Sequence, residues 1–197
     1  FVLTFHSFYL RRQQQTLALF SRNSQLLVNL LLVNGFARTF QNKFKNRELE
    51  KNYLAFSYGM LDQNFIQIDK NISRQKYQRT KFDTTDIGGK NALTNVENLK
   101  IYYGSISKLN CQIITGRTHQ IRVHLLSLGL PIIGDKQYQL NKEQKFRLAN
   151  LPNKVSEIVT NFPRQALHSH KLAFIHPKSQ KEIKITCDLP DEGCWRS

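Results

Sequence analysis

The chain has 197 residues, enough for one domain with a sizeable core, and its 40% hydrophobic content is ordinary for a globular protein. Twenty-nine Lys and Arg against 14 Asp and Glu leave a net charge of +15, which points to a polyanionic partner, with a merely solvated basic surface or an anionic membrane face as the other readings. No stretch reaches the roughly 18 to 20 apolar residues that span a bilayer, and three cysteines with no Cys-x-x-Cys pair argue against a disulfide framework and a zinc site, leaving a reducing compartment as the simpler expectation.

Residues 1–47 hold seven basic residues and no Asp or Glu; the first acid is Glu48. The start, FVLTFHSFYLRRQQQ, is faintly like a targeting peptide, but its basic pair follows the apolar stretch and no Met precedes it, so it reads as the cut edge of a longer chain. The run Leu26–Val33, interrupted by Asn29, reads as a buried helix or strand. Leu49–Gly59 has the alternating and aromatic content of a strand, and Asn64–Asp69 that of a shorter one. Lys70–Lys90 is polar and basic with a turn at DIGGK, which predicts an exposed arm or hairpin. Asn91–Gly116 reads as strand, turn at Gly104, strand. Gln144–Gln165, bounded by Pro152 and Pro163, reads as a loop or short helix, and His170–Pro177 with Lys181–Pro190 as a hairpin turned by PKSQ. The expected architecture is one α+β domain over residues 1–197, with a mixed, mainly antiparallel sheet flanked by helices and loops.

The segment TGRTHQIRVHLLSLGLPIIGD, Thr115–Asp135, is the densest in chemistry. Thr118 is placed to cap a helix in which Ile121, Leu125 and Leu128 form an inner face. His119 and Arg122, three apart, share another face near the helix N-terminus, where free N–H groups and the dipole favour an anion. Gly129 and Pro131 end the helix. A solvated amphipathic helix is the bland reading; two Arg and two His crowded into the first turns weigh against it, since Glu or Lys would keep such a helix soluble more simply.

TGRTHQIRVHLLSLGLPIIGDKQY closely resembles the signature segment of the RluA-type RNA pseudouridine synthases. Arg164–Glu192 resembles that family's C-terminal hairpin, Leu49–Gly59 its Glu-Lys-x-Tyr-x-Ala strand, and GGKNALTNVENLK fits between them in order and spacing. The resemblance covers about residues 48–192, with residues 1–47 degenerate. It implies a pseudouridine synthase fold and an enzyme that isomerises a uridine in structured ribosomal or transfer RNA, the base being flipped into a pocket. It further implies no cofactor and no metal, RNA as partner, no membrane, a monomer, and a cytoplasmic location, or an organelle in a eukaryote. In the family a carboxylate attacks, a basic residue pairs with it, and a Tyr packs on the base and assists proton removal. Carried over by position, Tyr53 and Arg122 are the catalytic pair, and Ile121 lines the pocket. Arg117, Thr118, His119 and Gln120 are expected to bind substrate, Arg117 and His119 toward the RNA backbone. Tyr53 as an ordinary strand aromatic and Arg122 as a plain phosphate contact are the alternatives.

The family's attacking Asp stands in a His-Arg-Leu-Asp segment before an apolar strand. Here that strand resembles Leu17–Asn23, and the Asp position falls near Arg11, with no carboxylate in residues 1–47. Three readings follow: an RNA-binding pseudoenzyme without the reaction, a truncated or misread N-terminal segment, or another acid in its place. The abrupt loss of pattern before Glu48 favours the second. Asp135 is the acid nearest a motif, but the family's Gly-Asp looks structural. Two cations cannot replace an ion pair, so the Arg11 region is expected not to pack against Arg122 as the family segment would.

Overall fold

Strand β1 (Glu50–Tyr58) lies in the middle of a six-stranded sheet, hydrogen-bonded to strands far from it in sequence. The computed structural model describes residues 49–139, 151–176, 179–187 and 189. The Arg11 region and the Leu17–Asn23 and Leu26–Val33 segments lie outside them.

The other strands are β2 (Phe65–Asp69), β3 (Asn71–Arg74), β4 (Phe82–Thr85), β5 (Leu93–Tyr102), β6 (Ile106–Ile113), β7 (Leu167–Ile175) and β8 (Glu182–Thr186). The large sheet runs β2-β5-β6-β1-β7-β8 with every neighbouring pair antiparallel, and β3 and β4 form a separate two-stranded arm. Helix α1 (Gln120–Ser127) follows β6, and helix α2 (Asn153–Thr160) precedes β7. This is the mainly antiparallel α+β architecture expected from the strand pattern, and the arm, the β5–β6 and β7–β8 hairpins and the short helix before Pro163 all form.

Cross-strand register decides which side chains share a face. Tyr53 stands opposite Cys111, and Val96 and Ile66 continue the row on the next two strands. The next row, Asn52, Gln112, Asn95 and Gln67, points the other way, and its amides hydrogen-bond across three strands, Gln67 to Asn95 at 2.9 Å and Asn95 to Gln112 at 3.1 Å. Ala55, Val96, Leu109 and Cys111 are inaccessible to solvent and join Ile121 and Leu125 of α1 and Val155 and Val159 of α2 in one core. Each such Leu or Ile contributes about 1.5–3 kcal/mol by leaving water. Tyr58 docks α2 by donating its hydroxyl to the Val159 carbonyl at 2.9 Å.

Two glycines shape the approach to the site. Helix α1 ends in a left-handed Gly129 (φ 72°), whose N–H reaches the Leu126 carbonyl at 2.8 Å while the Leu130 N–H reaches Leu125 at 2.9 Å. This paired closure satisfies two orphan carbonyls and turns the chain sharply toward Pro131. Gly134 (φ 73°) lies so close to the Arg164 carbonyl and the Phe162 ring that a Cβ there would collide with both. The close approach draws Asp135 back over α1.

Candidate active site

The start of α1 is built from the inside. Gln120, 3% exposed, uses its whole amide: Oε1 accepts from the Thr115 hydroxyl (2.7 Å) and the Arg117 N–H (2.9 Å), and Nε2 donates to the Leu93 carbonyl and the Thr94 hydroxyl (both 2.9 Å). Thr94 also meets His124 Nδ1 at 2.9 Å, and His124 Nε2 meets the Lys70 carbonyl at 3.1 Å. A carbonyl can only accept, so His124 carries its proton on Nε2 and takes the Thr94 hydroxyl on Nδ1. Burial lowers the His124 pKa from its ordinary 6.5 and keeps the ring neutral. Gln120 and His124 therefore lock α1 to β5 and to the base of the arm. The amphipathic pattern concealed this, because both residues count as polar and both are buried.

Thr118 does not cap the helix. The N-cap is His119, in left-handed backbone (φ 56°, ψ 19°) with no side-chain cap, and Thr118 is exposed in the preceding turn. A left-handed non-glycine residue is strained and persists only where its surroundings hold it. Here the holding group is Tyr138, whose hydroxyl accepts from the Phe82 N–H at 2.9 Å and meets His119 Nδ1 at 2.9 Å. The His119 ring also stands edge-on to Phe82, centroids 5.5 Å apart. Burial and the neighbouring Arg122 charge lower the His119 pKa, against an opposing pull from Asp135. His119, as the N-cap, and Arg122, three residues on, both pack against Tyr138.

Arg122 has its carboxylate inside the motif. Its Nε donates to Asp135 Oδ2 at 2.6 Å and Nη2 to Oδ1 at 2.7 Å, with a further contact from Nη2 to Gln137 Oε1 at 3.2 Å. The guanidinium stacks on Tyr138, 4.6 Å from the ring centroid. Asp135 Oδ1 also accepts the Gln137 and Tyr138 N–H groups, at 3.0 and 3.1 Å. Its side chain is 1% exposed and fully engaged, so it is a brace and not a nucleophile. Among the described residues nothing accepts from Arg122 Nη1. One edge of the fork is fixed and the other remains able to meet an anion.

Tyr53 lies on β1 next to the irregularity at Asn52/Tyr53 in the β7 pairing, the kind of bulge that re-aims a side chain. It is partly buried against the cluster that holds Ile121, and burial raises its phenol pKa against the pull of a hydrogen bond to Ser169. Ile121 is 5% exposed. Arg117 is tied by its Nε to the Asn91 carbonyl at 2.9 Å. Tyr53 and Ile121 are thus gathered on the core side, Arg122 and His119 around Tyr138, and Arg117 and Gln120 against the start of β5. Residue spacing alone gave no sign of Tyr138; the signal available was its position three residues after the Gly-Asp turn. Among the described residues no group of His, Cys, Asp and Glu could hold a metal ion, and no helix is long and apolar enough to cross a membrane.

The RNA pseudouridylate synthase family profile matches residues 34–127, from upstream of β1 to the last residue of α1. Ribosomal large subunit pseudouridine synthase D of Nitrosomonas europaea is 35% identical over 162 residues, 79% of this chain and 44% of that protein. The uncharacterized RNA pseudouridine synthase YlyB of Bacillus subtilis is 31% identical over 151 residues, 77% of this chain and 44% of that protein. The chain therefore spans less than half the length of these relatives. In structure it is similar to human RNA pseudouridylate synthase domain containing 1, with a TM-score of 0.61, 25% identity, and coverage of 82% of this chain and 65% of that one. Strand order, motif order and these likenesses agree, and the chain belongs to the RNA pseudouridylate synthase family.

Proposed function

We propose that this chain is the RNA-modifying domain of a pseudouridine synthase, isomerising a uridine in structured RNA. The observation that carries the reading is Arg122: a guanidinium at the start of α1, fixed along one edge by Asp135 and open at Nη1, in the family's motif. The open edge is the part suited to a phosphate of the bound RNA, or to an attacking carboxylate, which has to come from an acid other than Asp135, since residues 1–47 hold none. Tyr53, whose phenol pKa burial raises, offers a flat ring for the flipped base and a hydroxyl near it. In the reaction the C1′–N1 bond breaks, the base turns, C1′–C5 forms, the proton on C5 leaves to solvent and N1 takes one up, so that product and substrate are isomers.

The C5 proton is the assay. RNA labelled with tritium at uridine C5 is expected to release tritium to water on incubation with the chain, and Tyr53→Phe is expected to abolish release while RNA binding persists. The name of the Nitrosomonas relative makes large-subunit ribosomal RNA the first substrate to try. Binding without release by the unaltered chain would overturn the enzymatic reading and leave an RNA-binding protein.

A further inference from the structure

A cleft of about 320 Å³ opens between the β3–β4 arm and the turn after Asp135, and neither Tyr53 nor Ile121 is among its lining residues. Its walls are Gln75 and Lys81 from the arm, Leu126 from α1, and the run Lys136–Gln139. The volume lies at the lower end of the range of about 300–1,000 Å³ usual for small-ligand pockets, enough for one nucleotide. Lys81 and Lys136 enter from opposite walls, and no hydrogen bond or ion pair engages either ammonium among the described residues. The amides differ in what they have left. Gln137 is engaged at both ends of its amide, accepting from Arg122 and donating to the Thr80 carbonyl at 2.9 Å. Gln75 and Gln139 donate through Nε2, to Asp83 (3.3 Å) and to the Lys136 carbonyl (3.0 Å), which leaves both Oε1 atoms as acceptors. The two acids beside the lining are both engaged, Asp83 by Gln75 and by the Thr84 N–H at 2.9 Å, and Asp135 by Arg122 and by the Gln137 and Tyr138 N–H groups.

Two cations without partners, two amide acceptors and an apolar floor are complementary to a phosphate and the N–H edge of a base. We propose that this cleft is a nucleotide subsite outside the target-uridine pocket. Lys81 and Lys136 hold the phosphate of an RNA residue flanking the target, and Gln75 and Gln139 accept from its base. The proposal rests on the RNA reading above. It adds that Gln137 and Tyr138 line this subsite with one side and touch Arg122 with the other, so a flanking nucleotide seats directly behind the braced guanidinium.

The test is a titration of the full chain with guanosine 5′-monophosphate, whose base offers adjacent N1–H and N2–H donors and is not the target base, followed by amide chemical shifts. The expected result is shifts confined to Gln75, Lys81, Leu126 and Lys136–Gln139, with binding weakened about tenfold or more in the Lys81→Ala/Lys136→Ala double variant. Lys154→Ala on α2 is expected to leave binding unchanged, and an unaltered melting temperature in the double variant shows that the fold is intact. Shifts elsewhere, equal affinity in the double variant, or equal weakening by Lys154→Ala would overturn the proposal. So would inorganic phosphate that matches the nucleotide in affinity and also shifts Gln75 and Gln139, since that reports an anion hole without base recognition. The RNA reading fails separately: cleft shifts retained with no tritium release and no binding of structured RNA would sink it and leave a mononucleotide site.

Discussion

Asp135 shows how much a motif leaves unsaid about a single residue. Its place in Gly-Asp marks it as structural, but nothing in the spacing says that both its oxygens hold one edge of Arg122, Nε and Nη2. Asp135→Ala leaves a nearly buried guanidinium without its counter-charge, a change that typically costs about 3–5 kcal/mol. Urea denaturation is expected to show a loss of that size; a loss under about 1 kcal/mol would mean that the pair contributes little. His124 makes a second prediction at this scale. Its folded pKa lies below the ordinary 6.5 because it is buried, so the unfolded chain binds the proton more readily. Its contribution to stability is complete above about pH 6.5 and is lost as the pH falls below it. The unfolding free energy is expected to drop between about pH 7 and 5, and to drop less steeply in His124→Gln. An equal slope in the variant would assign the dependence to other groups, His119 first, since its pKa is lowered in the same direction.

Among the elements, the strands were the most legible. Alternation and aromatic content located β1, β2 and the two hairpins, because sheet faces impose a period of two that residue types record directly. Helix α1 was legible in its apolar face and its Gly129 stop, but not in its start, where a left-handed His119 replaces the Thr118 cap. Helix starts are read from local side-chain chemistry, and here the determinant is Tyr138, nineteen residues away in sequence. The same residue ties the arm to the helix through the Phe82 N–H. Tyr138→Phe removes that acceptor and keeps the ring over Arg122. Hydrogen exchange is expected to show the Phe82 amide exchanging about five- to tenfold faster, with the six-stranded sheet unchanged. Unchanged protection at Phe82 would mean that the arm is held by the strand pairing and His124 alone.

At the scale of the whole molecule, charge and motif order carried the functional class, while the arrangement of the site depended on contacts between segments that composition does not describe. The topology has one more consequence. Strand β1 is hydrogen-bonded on one side to β6 and on the other to β7, which begins only at Leu167. The segment with the clearest family pattern, residues 34–127, therefore contains only one of the two neighbours that its own central strand requires. Produced alone, it would expose an unpaired row of N–H and C=O groups along β1 and the apolar surface that α2 covers in the complete chain. A fragment of residues 34–127 is expected to self-associate on size-exclusion chromatography, and adding residues 151–187 in trans is expected to return it toward a discrete size; a soluble, cooperatively folding fragment would show that β7 is dispensable. On the ribosome, the motif that identifies this protein is made before the strand that closes the sheet over it.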